Sequence, residues 1–231
     1  MTDQKNYIIL FDLDNTLIEI VRSHEHFDQI IVDVFKRAGV PIPKDRDRDK
    51  LWRNNDYESL LKSWDFQDPV LFWRLFDEID LERRRRIFKD GRIRIYDDVI
   101  PVLNDIKKKE NIFSAIISNT TQKIVEFQLN KLRMRNLFDR IYGLGEFQSL
   151  CKPSPKGVNL ILSDFAESIN FSKSNVYIIG DTPNDIAAGK RANIKTVFIN
   201  RKNRDLEELG KYQPDYTINT LNELTDLITS H

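Results

Sequence analysis

Hydrophobic residues along this chain cluster in short, unbroken runs separated by longer stretches of mixed character. The runs cover Tyr7 to Phe11, Ile112 to Ile117, Arg140 to Tyr142, Val176 to Ile179 and Thr196 to Ile199. Continuous rather than alternating hydrophobicity predicts strands buried on both faces, as in a parallel sheet. Helix-like stretches lie between them, at Asp98 to Lys109, Thr121 to Arg133, Pro155 to Ala166 and Asn184 to Ala192. Asn193 follows the last one, where a residue tolerant of the left-handed conformation often ends a helix. Strands alternating with helices over short connections predict an α/β fold with a doubly wound, Rossmann-like parallel sheet.

One interval breaks this rhythm. From Leu17 to about Ile95 no strand is evident, helical character dominates, and aromatic bulk concentrates in Trp52, Trp64, Phe66, Phe72, Trp73 and Phe76. So long a loop without structure of its own would be implausible. The pattern predicts an α/β core from residues 1–16 and 96–231, interrupted by a helical subdomain over 17–95. The three tryptophans are expected in the core of that insert.

Composition adds exclusions. Lys plus Arg and Asp plus Glu both count 36, so no global field favours nucleic acid or an anionic membrane. The single cysteine, Cys151, excludes an internal disulfide framework and fits a reducing compartment. The N-terminus is polar, and the apolar run behind it is cut at Asp12, too soon for a secretory signal or a membrane span. A cytoplasmic location is expected. The charge runs Glu82 to Arg86 and Lys44 to Lys50 read as solvent-exposed faces, and His24 and His26 as pointing to different sides of a helix. Gly143 and Gly145 begin a dinucleotide-type pattern that fails at Gln148.

Chemistry gathers where the predicted strands end. The first run leaves the core in "DLDNT", with Asp12 and Asp14 one residue apart. A turn or helix cap is the bland account of such a pair. A calcium loop fails, because its sixth position would be Leu17 and its twelfth Ser23. A hard cation such as magnesium would offset two crowded carboxylates. One carboxylate can also act as a nucleophile while a second moves a proton. "IISNTT" ends another run in Ser118, Asn119, Thr120 and Thr121 before a helix, an anion site or an ordinary cap. "LCKPSPKG" holds Lys152 beside a proline, and "VYIIGDTPNDIAAG" carries Gly180, Asp181 and Asp185.

Together these four stretches resemble, in order, the four motifs of the haloacid dehalogenase superfamily, whose most populous branch is magnesium-dependent phosphatases. The resemblance covers about Lys5 to Asn200, and the helical insert matches the position of that superfamily's C1 cap. It implies Asp12 as nucleophile, Asp14 as general acid/base and Lys152 as the neutralising cation. It further implies substrate contacts from Thr16, Ser118, Asn119 and Lys152. Asp12, the backbone carbonyl of Asp14, Asp181 and Asp185 would form the surroundings of Mg²⁺. The expected function is hydrolysis of a small phosphorylated metabolite through an aspartyl-phosphate. A phosphomutase would share these residues. A dehalogenase would need neither the acid at position 14 nor the metal, and a nucleic-acid-binding relative would be expected to lose a catalytic station. Neither monomer nor homodimer is favoured.

Overall fold

A computed structural model describes residues 5–53, 56–204, 209 and 212–229; Met1 to Gln4, part of the polar N-terminus, lie outside them. The chain forms two compact units, residues 1–19 with 94–231, and residues 20–93.

The first unit begins with β1 (Tyr7–Phe11); β2 (Ile18–Ile20) ends at the first residue of the second unit, and the first unit resumes at residue 94. The second contains α1 (Ser23–Ala38), α2 (Asp45–Arg48), α3 (Lys50–Arg53), α4 (Tyr57–Ser63) and α5 (Pro69–Lys89). There follow β3 (Ile93–Ile95), α6 (Val99–Lys107), β4 (Ile112–Ser118), α7 (Gln122–Lys131) and β5 (Arg140–Gly143). The chain then runs through α8 (Lys156–Ala166), β6 (Val176–Gly180), α9 (Pro183–Ala192), β7 (Lys195–Ile199), β8 (Tyr216–Ile218) and α10 (Asn222–Thr229).

Six strands pair in the order β5-β4-β1-β6-β7-β8, every neighbouring pair parallel. The fold is the doubly wound α/β sheet that the apolar runs predict. In β1, Ile8, Ile9, Leu10 and Phe11 are all fully buried, because helices cover both faces of the sheet. Ile8 and Leu10 pack with Ala115, Ile117, Val158, Ile161 and Ile178. The strand order reverses at β1, with β4 on one side and β6 on the other. Ligands of open α/β sheets bind at such a point, beyond the carboxyl ends of the strands. Helix α9 starts with Pro183 in its first turn behind a Thr182–Asp185 capping box, and ends at left-handed Asn193 (φ 58°).

Three strands escape the sequence pattern. β2 and β3 pair with each other inside the interval read as strandless, and β8 extends the main sheet. Ile-Glu-Ile, Ile-Arg-Ile and Tyr-Thr-Ile are only three residues each, too short for periodicity to register.

The second unit has its own core, in which Phe35, Phe66, Phe72 and Phe76 pack with Ile30, Ile31 and Leu61. Trp64 and Trp73 pack against it as expected, whereas Trp52 stays 42% exposed. Two readings of charge are corrected here. Arg84, inside the arginine run, is fully buried, with its Nε donating to both carboxylate oxygens of Asp80 at 2.9 and 3.0 Å. Arg48, inside the alternating run, is buried against Asp28 through a two-point contact at 2.6 and 2.8 Å. Partner carboxylates on helical neighbours make this burial tolerable. His24 and His26 do diverge, to exposed Asp49 and buried Asp80 respectively. Among the described residues, no helix is long and apolar enough to cross a membrane.

Leu10→Ala would open a cavity at the centre of the sheet and cost about 3 kcal/mol. Urea unfolding should show a lower midpoint with an unchanged slope.

Candidate active site

The carboxyl ends of β1 and β6, with the loop before α8, bring Asp12, Asp181, Asp185 and Lys152 together. Asp12 directly follows β1, and its N–H donates to the Ile179 carbonyl of β6 at 2.9 Å. Ser118 closes β4, and Asp181 follows Gly180 at the end of β6. Lys152 comes from the loop that precedes α8.

Lys152 is the hub. Its buried ammonium donates to Asp12 Oδ1 at 2.7 Å, Asp185 Oδ1 at 2.5 Å and the Ile117 carbonyl at 3.0 Å. An ammonium has three N–H donors, and each has an acceptor here. The main chain behind it is fixed by Asn119, whose Oδ1 accepts from Lys152 N at 2.8 Å and whose Nδ2 donates to Lys152 O at 2.7 Å. The Asn119 side-chain amide thus ties the lysine loop to the end of β4.

Asp185 is locked from its other side. Its Oδ2 accepts from Thr182 N at 3.0 Å and Thr182 Oγ1 at 2.6 Å. Only glycine fits beneath it: a Cβ at residue 180 would stand 2.1 Å from Asp185 Cγ. Gly180 therefore lets the Asp185 carboxylate fold back toward Lys152.

Asp12, Asp181 and Asp185, all buried, offer oxygens that lie within 4.8 Å of one another. Asp181 Oδ1 is buried and has no hydrogen-bond partner among the described residues. Crowded carboxylates with an unsatisfied oxygen form a donor set that suits a hard divalent cation. Arg204 braces the same residue through Nη2, which donates to the Asp181 main-chain carbonyl and, at 3.1 Å, to Oδ2. The Arg204 main chain is in turn pinned by Asn200, through contacts of 2.8 and 2.9 Å.

Asp14 stands apart from that cluster. Its side chain accepts from Gln128 Nε2 at 3.0 Å and from Thr120 Oγ1 at 3.4 Å. Ser118 Oγ accepts from Thr120 N at 3.1 Å. Thr16 is buried with its hydroxyl unpartnered among the described residues, while its carbonyl accepts from Arg201 Nε at 2.8 Å. Gln128, Thr182, Arg201 and Arg204 were not singled out in the sequence. The signal for the two arginines was their position just beyond β7, next to β6 in the sheet.

Burial pushes the Asp12 carboxyl up to about 8; the Lys152 charge opposes this, while Asp185 and Asp181 add to it. Asp181 is pushed up to about 6, first by burial and then by Asp185, against the pull of Arg204. Burial alone would lower the Lys152 ammonium, but attraction to Asp12 and Asp185 raises it above its ordinary range.

The family model for haloacid dehalogenase-like hydrolase matches residues 9–199. The chain belongs to this family. Pyrophosphatase PpaX of Bacillus velezensis is 26% identical over 97% of this hydrolase and 97% of its own length. Pyrophosphatase PpaX of Oceanobacillus iheyensis is 25% identical over 95% of each chain. Among solved structures, CbbY from Rhodobacter sphaeroides in complex with phosphate superposes with a TM-score of 0.70. It is 19% identical, covering 95% of this chain and 96% of that one, and supports the fold.

A divalent cation held by this carboxylate cluster would displace protons, since carboxylates ligate in the ionised form. With the Asp12 carboxyl pushed up to about 8 and that of Asp181 to about 6, the window concerned runs from about pH 6 to pH 8. Divalent-cation affinity should therefore rise with pH across that window, by up to about tenfold per unit. Calorimetric titrations at pH 7 in buffers of different ionisation enthalpy should register proton release.

Proposed function

We propose that this hydrolase is a magnesium-dependent phosphatase that acts on small phosphorylated compounds through an aspartyl-phosphate on Asp12. The observation that carries this reading is the Lys152 ammonium, bonded at once to Asp12 and Asp185 beside the buried Asp181.

In the proposed cycle a carboxylate oxygen of Asp12 attacks phosphorus in line as the bond to the leaving oxygen breaks. Asp14 gives its proton to that oxygen. Asp14 then takes a proton from water as the water oxygen bonds to phosphorus and the bond to Asp12 breaks, releasing phosphate. Lys152 holds the Asp12 carboxylate in place and offsets charge on the phosphoryl group, and the Ser118 hydroxyl donates to a phosphoryl oxygen. Asp12, Asp181, Asp185 and the Asp14 main-chain carbonyl are the proposed surroundings of Mg²⁺. When bound, that ion supplies Lewis-acid stabilisation of developing negative charge.

Inorganic pyrophosphate is the first substrate to test, because relatives matched almost end to end are named pyrophosphatases. A phosphoanhydride and a phosphomonoester ask the same work of Asp12 and differ in the group that departs. Residues 20–93 are proposed as the family's helical cap, and the lone buried Cys151 supports a cytoplasmic setting.

Pyrophosphate and a panel of phosphorylated metabolites, assayed with Mg²⁺ and with EDTA, test the reading. Turnover should require the ion, and Asp12→Asn should lower it by at least about 10³-fold, the order seen when covalent machinery is removed. Substantial turnover in folded Asp12→Asn protein would refute the nucleophile.

A further inference from the structure

Helix α7 buries one stripe made of Ile124, Val125, Gln128 and Leu129. Gln128 interrupts this apolar stripe and is fully buried. Burying an amide without partners costs about 1–3 kcal/mol, whereas leucine would fill the same position at no such cost. The side chain's Nε2 donates to Asp14 Oδ1 at 3.0 Å, while Oε1 is buried and accepts nothing from the described residues. Helix packing therefore gives no reason for an amide here; Asp14 does. The Thr120 hydroxyl meets the other carboxylate oxygen, Oδ2, at 3.4 Å. Donors on both oxygens fix the plane of the carboxyl group. Gln128 belongs to none of the four motifs that carry the family resemblance.

We propose that Gln128 is a positioning residue for the general acid/base: its amide holds Asp14 Oδ1 and so orients Oδ2 for proton transfer. This inference rests on the phosphatase reading given above. In the first half-reaction the Asp14 hydroxyl gives its proton to the departing oxygen while the P–O bond breaks. The carboxylate left behind is the form to which Nε2 donates. In the second half-reaction the carboxylate takes a proton from the attacking water. Gln128 itself exchanges no proton and touches no substrate.

The decisive comparison uses two esters with Mg²⁺ present: a simple alkyl phosphate, whose leaving group needs a proton, and 2,4-dinitrophenyl phosphate, whose leaving group does not. kcat/KM reports events up to departure of the leaving group. Gln128→Met keeps the side-chain length and removes the donor. It should lower kcat/KM on the alkyl ester by about 10- to 100-fold, part of the full 10²–10⁴ available to acid catalysis. On the dinitrophenyl ester the fall should stay below about threefold, because the term in question is absent there. In an Asp14→Asn background the same substitution should have little further effect.

Equal losses on both esters, no loss on either, or a full additional loss in the Asp14→Asn background would each overturn the proposal. If Gln128→Met fails to fold by circular dichroism, Gln128→Asn, which withdraws the amide by one methylene, decides by the same ratio of esters. A wild-type protein that turns over neither ester would overturn the phosphatase reading, and this inference with it.

Discussion

One ammonium group, buried among carboxylates, organises the carboxyl ends of the central strands. Without the positive charge of Lys152, Asp12 and Asp185 would be like charges in a dry pocket, where repulsion is poorly screened. Such a pair adds little net stability, since desolvating three charged groups offsets most of their attraction. Removing the lysine alone would leave the buried Asp12 carboxyl without its counter-charge, so it would take up a proton rather than stay ionised. The cluster is better understood as an arrangement for chemistry than as a contribution to folding.

The scaffold explains how residues so distant in sequence reach one point. Parallel strands end on the same side of a sheet, and the reversal of strand order at β1 leaves its carboxyl end open between β4 and β6. Asp12, Ser118 and Asp181 arrive there on strands, whereas Lys152 arrives on a loop and depends on the Asn119 clamp for its position. Gly180 provides the remaining freedom by letting Asp185 lie against the main chain.

Much of this was legible in the sequence because unbroken apolar runs mark strands buried on both faces. The polar residues just after those runs must then gather at one edge. Asp12, Ser118 and Asp181 are read this way, and Asp185 from its spacing to Asp181 on a helix that starts near Pro183. β2, β3 and β8 were too short to be seen. Gln128 and Arg84 were hidden for a different reason: each lies within a helix whose composition points elsewhere, Gln128 in an apolar stripe and Arg84 in a charged run. Their partners, Asp14 and Asp80, are brought close by tertiary structure in the first case and by one helical turn in the second. The second could have been noticed, since an acid four residues before an arginine is a recognised helical pair.

The central claim is that Asp12 captures the phosphoryl group. The most direct measurement is trapping: Asp14→Asn protein, Mg²⁺ and 2,4-dinitrophenyl phosphate are mixed, quenched in acid and mapped by mass spectrometry. The leaving group departs without an acid, whereas release of the enzyme needs the missing base, so phosphorylated protein should accumulate. A hydroxylamine-sensitive phosphoryl group on the peptide that carries Asp12 is the predicted result. A label on any other residue, or release of dinitrophenol with no labelled peptide, would contradict the account.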